Sequence, residues 1–247
     1  MKILRQKVAI ITGCSRGIGR ATALKLSEKG ILIVANYLKE DLQALSLKKT
    51  IEEKGGTCAL VKGDIGNPAT ADSVVKTSLD RYGAIDFLVN NAGFYSKKKL
   101  AEIVPEDFDR SIRLNLYAPL MLSQRVSPIM QRQKSGKIVF ISSVLALRGY
   151  PYSSHYICAK AGLIGLTKSL ARELAPYVQV NCVVPGFIET SLLKKDTKAR
   201  RARRLREIPL HRLGRDVEVA GVIAFLLSGD ADYITGEVIN VSGGYYI

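Results

Sequence analysis

The stretch "KVAIITGCSRGIG", residues 7 to 19, decides the fold of this chain. It starts as a short apolar run, continues as a loop with glycines at positions 13, 17 and 19, and ends in a segment with helical periodicity. Glycine allows the backbone to turn sharply and to approach a ligand closely, and the first N–H groups of a helix bind anions. A strand, three spaced glycines and a helix predict a site for the pyrophosphate of a dinucleotide; a plain tight turn is the alternative.

Apolar segments of the same kind recur along the chain. The predicted strands cover residues 7–12, 31–36, 57–62, 86–91, 137–142, 179–184 and 237–242. Helical periodicity lies between them, chiefly at residues 16–29, 39–54, 68–82, 105–132 and 155–175. Uninterrupted Val and Ile runs are typical of strands buried on both faces of a parallel sheet. The alternation predicts an α/β fold, a single Rossmann-like doubly wound domain with a seven-stranded parallel sheet flanked by helices.

Length and composition set the broad class. The chain has 247 residues, of which 47% are hydrophobic and 24% charged, as in a soluble globular protein with a sizeable core. It contains no repeat or linker, so we expect one domain over residues 1–247. No apolar run reaches the roughly 20 residues that cross a bilayer, and the start does not resemble a secretory signal. We therefore expect a cytoplasmic protein with no membrane partner. The four cysteines are scattered and only two histidines accompany them, so we expect no metal site.

Positive charge is concentrated in one segment. The formal net charge is +15, and the run from Lys194 to Arg206 contains eight Lys or Arg and one Asp. The run follows the sixth predicted strand and indicates a basic, lid-like insertion at about residues 190–208, because ligands bind at the carboxyl ends of such strands. Its charge fits a nucleic-acid surface, an acidic or phosphorylated partner, or a solvated helix face. It lacks the aromatic residues with which nucleic-acid surfaces stack bases.

The end of the second predicted strand indicates the cofactor. An NAD site usually places an acidic side chain there, which accepts a hydrogen bond from the ribose 2′-hydroxyl. Here the neutral pair Asn36–Tyr37 leaves room for a 2′-phosphate, and Arg16 with Lys39 can neutralise it. The pattern predicts NADP(H). Glu40 and Asp41 are the counterargument, but we expect both to lie inside the following helix.

The pattern Tyr-x-x-x-Lys occurs twice, at Tyr95 with Lys99 and at Tyr156 with Lys160. Residues four apart share one face of a helix, so each lysine can lie beside its tyrosine if the segment is helical. Only the second pair lies in a long helical pattern and follows a serine, Ser143, at the end of a buried strand. We therefore expect the second pair to be functional.

The three side chains together fit one type of chemistry. A free tyrosine has a pKa of about 10, and we expect the ammonium of Lys160 to lower it by attraction to the phenolate. Tyr156 would give a proton to a carbonyl oxygen as hydride reaches the carbon, while Ser143 holds that oxygen. The reverse reaction oxidises an alcohol.

Several motifs stand in a recognisable order along the chain. They are TGCSRGIG at residues 12–19, NNAG at 90–93, Asn115 in LNLY, Ser143, and Tyr156 with Lys160. With these motifs the chain resembles the short-chain dehydrogenase/reductase family over residues 7–244. The resemblance implies that Asn115, Ser143, Tyr156 and Lys160 are catalytic, with Lys160 on the nicotinamide ribose and Asn115 supporting a water relay to it. The alternative for Asn115 is that it only braces a helix.

The resemblance and the glycine loop together predict the cofactor contacts. These are Gly13, Ser15, Arg16, Gly17, Ile18, Gly19, Asn36, Lys39, Asp64, Ile65, Asn91, Ala92, Gly93, Tyr156, Lys160, Pro185, Gly186, Ile188 and Thr190. By resemblance Asp64 meets the adenine, although it could also only cap a turn. The segment with Ile188 and Thr190 is similar to one that holds the nicotinamide amide.

Within the family, four segments resemble the 3-oxoacyl-(acyl-carrier-protein) reductases of fatty acid biosynthesis: residues 159–175, 181–190, 208–215 and 233–244. This implies reduction of a 3-oxoacyl thioester with NADPH, an acyl carrier protein or coenzyme A thioester as partner, and a homotetramer built through the helices at 105–132 and 155–175. The stretches "FYSKKKLAEI" (94–103) and "YPYSSHY" (150–156), together with Tyr177 and Ser242, depart from that group. The alternatives are a dehydrogenase for a sugar, polyol or other secondary alcohol, and a nonenzymatic nucleic-acid-binding member of the family.

Overall fold

One parallel sheet organises the chain. The computed structural model describes residues 5–189 and 197–247. Its strands are β1 (Val8–Thr12), β2 (Leu32–Tyr37), β3 (Cys58–Lys62), β4 (Phe87–Asn90), β5 (Gly136–Ile141), β6 (Val178–Pro185) and β7 (Val238–Val241). They pair in the order β3-β2-β1-β4-β5-β6-β7, and every pair is parallel. The predicted fold class is confirmed, and each predicted strand lies within two residues of an observed one.

Helices connect the strands. They are α1 (Gly17–Ser27), α2 (Asp41–Glu53), α3 (Pro68–Tyr82), α4 (Pro105–Ile112), α5 (Ala118–Gln133), α6 (Val144–Arg148), α7 (Ser154–Glu173), α8 (Lys198–Glu207) and α9 (Asp216–Leu226). The Asn67 side chain accepts a hydrogen bond from the N–H of Ala69 at 3.0 Å, which caps α3 ahead of Pro68. The predicted helix 105–132 consists of α4 and α5 joined by a π-helical turn, Arg113–Tyr117, and the backbone stays helical at both joins.

The sheet is buried on both faces. Consecutive residues of a strand point to opposite faces, and in β1 both Ile10 and Ile11 are fully buried. Ile10 belongs to a core that includes Val74 of α3, Leu122 of α5 and Leu163 of α7. Ile11 belongs to a second core that includes Ala23 of α1, Leu47 of α2 and Ile223 of α9. Burial on both sides explains why the strands are uninterrupted apolar runs.

The topology places the site at one edge of the sheet. β1 lies between β2 and β4, so the connections that leave β1 and β4 diverge and open a crevice at the carboxyl ends of the strands. The loops after β1, β4, β5 and β6 all begin at this edge, and they contain many of the predicted site residues.

The basic insertion is described in part. Residues 190–196 lie outside the described residues, and from Lys198 the segment forms the exposed helix α8. A single domain over residues 1–247 stays a prediction. Among the helices of residues 5–189 and 197–247, none has both the length and the apolarity to cross a membrane.

Candidate active site

A pocket of about 500 Å³ opens at the carboxyl edge of the sheet. The predicted residues that line it are Gly13, Ser15, Arg16, Gly17, Ile18, Asn36, Lys39, Asp64, Ile65, Asn91, Ala92, Gly93, Asn115, Ser143, Tyr156, Lys160, Pro185, Gly186 and Ile188. The structure thus brings the predicted catalytic and cofactor-binding residues together in one cavity. Two predicted residues are not in that lining: Gly19 lies behind the loop, and Thr190 lies outside the described residues.

The glycine loop packs directly against the loop that follows β4. Gly13 has a φ of +70°, and a Cβ there would lie 3.0 Å from the Cα of Ala92. A Cβ on Gly19 would lie 2.4 Å from the carbonyl oxygen of Gly13, so a larger residue would displace the loop. The Asn91 amide donates to the carbonyl oxygens of Thr12 at 2.8 Å and Gly13 at 3.1 Å. Gly19 therefore supports the shape of the loop instead of lining the pocket.

The N-terminus of α1 points into this loop with its N–H groups available. Its N-cap residue, Arg16, makes no side-chain capping bond, and the first turn contains no acidic residue. Orphan N–H groups at a helix start, together with the positive end of the helix dipole, bind phosphate groups. The residues at this loop therefore fit the pyrophosphate of a nicotinamide dinucleotide.

We expected Glu40 to lie inside α2, and this expectation is wrong. Glu40 is the N-cap residue of α2, with a left-handed φ of 68°. This backbone conformation turns the carboxylate back toward the glycine loop, where it accepts a hydrogen bond from the Ser15 hydroxyl at 2.7 Å and pairs with Arg16. Glu40 lines the pocket. The expectation holds for Asp41, which begins α2 and pairs with Lys62 at 2.7 Å. The acidic group that the sequence argument set aside is therefore in the cofactor region.

The other residues near the end of β2 also have structural partners. The amide of Asn36 donates to the carbonyl oxygen of Gly63 at 3.1 Å, which ties β2 to the end of β3. Asp64 accepts a hydrogen bond from the N–H of Gly66 at 2.9 Å and pairs with Arg113 at 3.2 Å. Asp64 thus caps a turn at the pocket wall, and its contact with adenine stays a prediction.

Ser143, Tyr156 and Lys160 converge from two elements. Ser143 follows β5 and is the N-cap of α6, while Tyr156 and Lys160 lie one turn apart on α7. The Nζ of Lys160 lies 5.9 Å from the ring centroid of Tyr156 and donates to the carbonyl oxygen of Ile141 at 2.7 Å. The lysine is buried, so its charge lies beneath the pocket floor.

Burial sets the protonation of these groups. It raises the pKa of Tyr156 to about 12, and a hydrogen bond with Ser143 opposes that rise. Burial also lowers the pKa of Lys160 to about 8. Burial of the phenol dominates the pKa of Tyr156 in this arrangement, and the Lys160 ammonium donates to the carbonyl oxygen of Ile141. The expected attraction between Lys160 and the phenolate stays a prediction. At neutral pH Tyr156 keeps its proton and can act as a proton donor.

Asn115 lies in the π-helical turn between α4 and α5 and is fully buried. Its amide nitrogen donates to the carbonyl oxygens of Phe94 at 2.9 Å and Ser111 at 3.1 Å, and its oxygen accepts from the N–H of Phe94 at 3.1 Å. A Cβ on Gly93 would lie 2.8 Å from this oxygen and 3.4 Å from the Nζ of Lys160. Asn115 therefore braces the chain beside Lys160, and its role in a water relay stays a prediction.

Sequence reasoning missed several residues that line the pocket. They include Leu38, Glu40, Phe94, Tyr95, Tyr150 and Phe187, while Arg204 belongs to the basic insertion that was predicted to lie near the site. Tyr95 is the most important, because its ring meets that of Tyr156 edge-on, with centroids 5.0 Å apart and an interplanar angle of 87°. Lys99 is exposed and pairs with Glu102 at 3.8 Å. No sequence signal placed Tyr95 here, since it lies in an irregular segment without periodicity.

Guanidinium groups lie over two aromatic rings of the pocket lining. The Arg110 guanidinium lies 3.9 Å from the ring centroid of Phe94, and that of Arg204 lies 4.2 Å from the ring centroid of Phe187. Cations stack on aromatic faces in this way at protein surfaces. The pocket lining therefore combines aromatic side chains with the positive charge of Arg204.

Comparison with known proteins agrees with this geometry. The family profile described as enoyl-(acyl carrier protein) reductase matches residues 13–246. A 3-oxoacyl-(acyl-carrier-protein) reductase of Synechocystis sp. is 42% identical over 246 residues, which cover 99% of this chain and 98% of the relative. Reductases of the same name from Thermotoga maritima and Staphylococcus aureus are 40% and 38% identical over 249 and 242 residues. The match covers 99% of both chains for the former and 98% of both for the latter.

The identity extends over nearly the whole of each chain, and the pocket unites the glycine loop with Ser143, Tyr156 and Lys160. Together these findings show that the chain belongs to the short-chain dehydrogenase/reductase family, as an oxidoreductase that acts on CH–OH groups with a nicotinamide cofactor.

Proposed function

We propose that the chain reduces a 3-oxoacyl thioester to the 3-hydroxyacyl thioester with NADPH. The observation that supports this most directly is the placement of the Tyr156 phenol, Ser143 and the buried Lys160 in one pocket with the glycine loop. The relatives named as 3-oxoacyl-(acyl-carrier-protein) reductases, which match over nearly their full length, support the same substrate class.

Each side chain of the pocket has a separate role in the reaction. Bound NADPH supplies the hydride. The Ser143 hydroxyl donates a hydrogen bond to the substrate carbonyl oxygen, and Tyr156 gives that oxygen its proton as negative charge develops there. The ammonium of Lys160 stabilises the phenolate that remains, because opposite charges in a buried site attract strongly. Asn115 and Gly93 keep the floor of the pocket open around Lys160.

NADPH is favoured over NADH by the cations near the end of β2. Arg16 and Lys39 both line the pocket, and the Arg16 side chain is 60% exposed, so its guanidinium is accessible to a 2′-phosphate. In the structure, Arg16 pairs with Glu40. The 2′-phosphate of NADPH has about two negative charges, so it competes well with the Glu40 carboxylate for the Arg16 guanidinium. The preference rests on this competition.

The outer part of the pocket suits an acyl group attached to an anionic carrier. Phe94, Tyr150 and Phe187 offer an apolar wall for the chain. The basic helix α8 begins nearby and supplies Arg204 to the rim, so the phosphate of a carrier protein or of coenzyme A meets positive charge outside the reacting centre.

A homotetramer is part of the proposal. Large apolar side chains on α4 and beside it are 42 to 48% exposed: Val104, Phe108 and Tyr117. Exposed apolar groups of this size on neighbouring elements are typical of a surface that another protein covers.

A matched panel of substrates tests the proposed function. NADPH and NADH are each offered with a 3-oxoacyl coenzyme A and a carrier-bound 3-oxoacyl group, while NADP⁺ and NAD⁺ are offered with sugars, polyols and simple secondary alcohols. We expect the highest kcat/KM for NADPH with a 3-oxoacyl thioester. Faster oxidation of a sugar or polyol would assign the chain to that alternative. RNA retention at moderate salt without any hydride transfer would support the nonenzymatic alternative.

A further inference from the structure

The two stretches that depart from the 3-oxoacyl reductase pattern lie against each other. Residues 94–98 follow β4, and residues 152–156 comprise the two residues before α7 and its first three residues. Three hydrogen bonds join them: Tyr95 Oη with Ser153 Oγ at 3.0 Å, Ser96 Oγ with His155 Nε2 at 2.6 Å, and the N–H of Lys98 with the carbonyl oxygen of Tyr152 at 2.8 Å. We call this pair of segments the clamp. It holds the residues that immediately precede Tyr156.

Tyr95 is the member of the clamp that touches the proton donor. Its ring packs edge-on against Tyr156 with centroids 5.0 Å apart, an arrangement in which the positive ring edge faces the negative ring face. Its hydroxyl bonds to Ser153, which is fully buried. Tyr95 is therefore fixed at both its ring and its hydroxyl.

The main chain behind Tyr95 is fixed as well. Both the N–H and the carbonyl oxygen of Phe94 bond to the buried side chain of Asn115. These bonds hold residue 94 in one position, so the main chain that carries Tyr95 cannot shift without breaking a hydrogen bond to Asn115. Contacts thus run from Asn115 through Phe94 and Tyr95 to the ring of Tyr156.

We propose that Tyr95 is a positioning residue, which holds the Tyr156 phenol in the orientation that meets a carbonyl oxygen bound at Ser143. The inference rests on the proposed function, because it assumes that Tyr156 donates the proton. The Tyr95 ring also covers the part of the Tyr156 ring against which it packs, and so excludes water from that contact.

The second role has a consequence for pH dependence. Burial raises the pKa of Tyr156 to about 12, and the neighbouring Tyr95 phenol adds to that rise. The other groups that face the phenol are Ser143, which opposes the rise, and Lys160. Removing the Tyr95 ring admits water, so the pKa of Tyr156 should fall toward its ordinary value. Reduction needs the protonated phenol. As the pH is raised, the variant should therefore lose activity at a lower pH than the wild type does.

The test uses four variants: Tyr95→Phe, Tyr95→Ala, Ser153→Ala, and Tyr95→Phe combined with Ser153→Ala. Tyr95→Ala should lower kcat by about 10- to 100-fold, because misplacement of a reacting group by about 1 Å is costly. The high-pH limb of its pH–activity profile should move to lower pH. Its Kd for NADPH, measured by fluorescence, should stay within about threefold of the wild-type value, because the cofactor contacts remain intact. Tyr95→Phe keeps the ring, so it should keep the pH profile and lose a smaller part of kcat.

The losses of kcat caused by Tyr95→Phe and by Ser153→Ala should not add up in the double variant. If the Tyr95–Ser153 bond positions the phenol, the double variant should lose no more kcat than the worse single variant, because one interaction is removed in each case. Tyr233→Phe is the control, since Tyr233 is fully exposed. Wild-type kcat and an unshifted pH profile in both Tyr95 variants would overturn the inference. Tyr156→Phe in the same assay separates the two claims, because full activity of that variant would instead remove the proposed function.

Discussion

Glu40 and a 2′-phosphate would compete for the same cation. The Glu40 carboxylate accepts a hydrogen bond from Ser15 and pairs with Arg16, in the region where an NADP ribose phosphate would bind. A carboxylate beside a phosphate repels it, and at an effective dielectric constant suited to a protein surface this repulsion is on the order of 1 kcal/mol or more. Glu40 is therefore expected to weaken NADPH binding and to favour NADH.

Glu40→Gln should increase the affinity for NADPH about three- to tenfold and leave NADH binding unchanged or weaker, since about 1.4 kcal/mol corresponds to a factor of ten. Fluorescence titration of both cofactors measures the two Kd values. Asp41→Asn is the matched control, because Asp41 is the next residue and pairs with Lys62 away from the pocket. Replacing Arg16 and Lys39 with alanine should weaken NADPH far more than NADH. Equal changes for both cofactors would remove the argument from charge.

Lys160 should make stability depend on pH. Its pKa is lowered by burial to about 8 in the folded protein, against an ordinary value of about 10.5. Between these values the unfolded chain binds more protons than the folded one, so stability rises with pH over that window. Wild type should gain on the order of 1–3 kcal/mol of unfolding free energy relative to Lys160→Met from pH 8 to pH 10.5. Urea unfolding at several pH values measures it, and a constant difference would contradict the assignment.

The sequence predicted those site residues that local patterns mark. The glycine spacing around Gly13 and the four-residue spacing of Tyr156 and Lys160 follow from backbone geometry, so both could be found without a structure. Glu40 was misplaced because a non-glycine residue with a left-handed φ leaves no sequence signal. Tyr95 was set aside because its contact with Tyr156 joins an irregular segment to a helix more than fifty residues away.

Helix boundaries were predicted well where capping residues mark them, as at Asn67 and Pro68. The helical periodicity of residues 105–132 predicts one helix, because the apolar residues keep that periodicity through the π-helical turn. The π-helical turn at Arg113–Tyr117 inserts Asn115 into the core, and such turns are frequent at functional sites. Only the three-dimensional position of Asn115 explains why the turn is there.

The basic helix α8 should act on substrate encounter. Arg204 lines the pocket, and Arg201 and Arg203 pair with Glu189 and Glu207 at 2.8 Å each. The exposed cations of α8 together give the pocket rim a positive field that attracts an anionic thioester carrier.

Changing Lys198, Arg200 and Arg206 together to glutamine should raise KM for a carrier-bound substrate about three- to tenfold at low salt, because steering acts on association. The difference should shrink in high salt, where charges are screened. Turnover of a small uncharged ketone should not change. Neutralising Lys48, Lys49 and Lys54, which lie on or just after α2, is the control of equal charge. Loss of turnover with both substrates would instead mean that α8 orders the site.

The whole sheet was predictable because burial on both faces removes polar alternation from every central strand. Association between copies of the chain could not be predicted from the sequence, because an apolar helix face has the same sequence pattern whether it packs inside one chain or against another. Here Phe108 and Tyr117 are exposed on the isolated chain. We therefore expect light scattering of the purified protein to give a tetramer, and Phe108→Glu to shift it to smaller species, because a charge in an apolar interface is costly. A monomer for the wild type would contradict the proposal.

The most direct test of the account compares wild type with Tyr156→Phe in one experiment. NADPH consumption and 3-hydroxyacyl product are followed with a 3-oxoacyl thioester, and NADPH binding is measured by fluorescence on the same preparations. Wild type should form one product per NADPH consumed. Tyr156→Phe should bind NADPH with a similar Kd but lose at least about 100-fold in kcat, the usual contribution of a positioned proton donor. Full activity of Tyr156→Phe, or no hydride transfer to the thioester by wild type, would contradict the account.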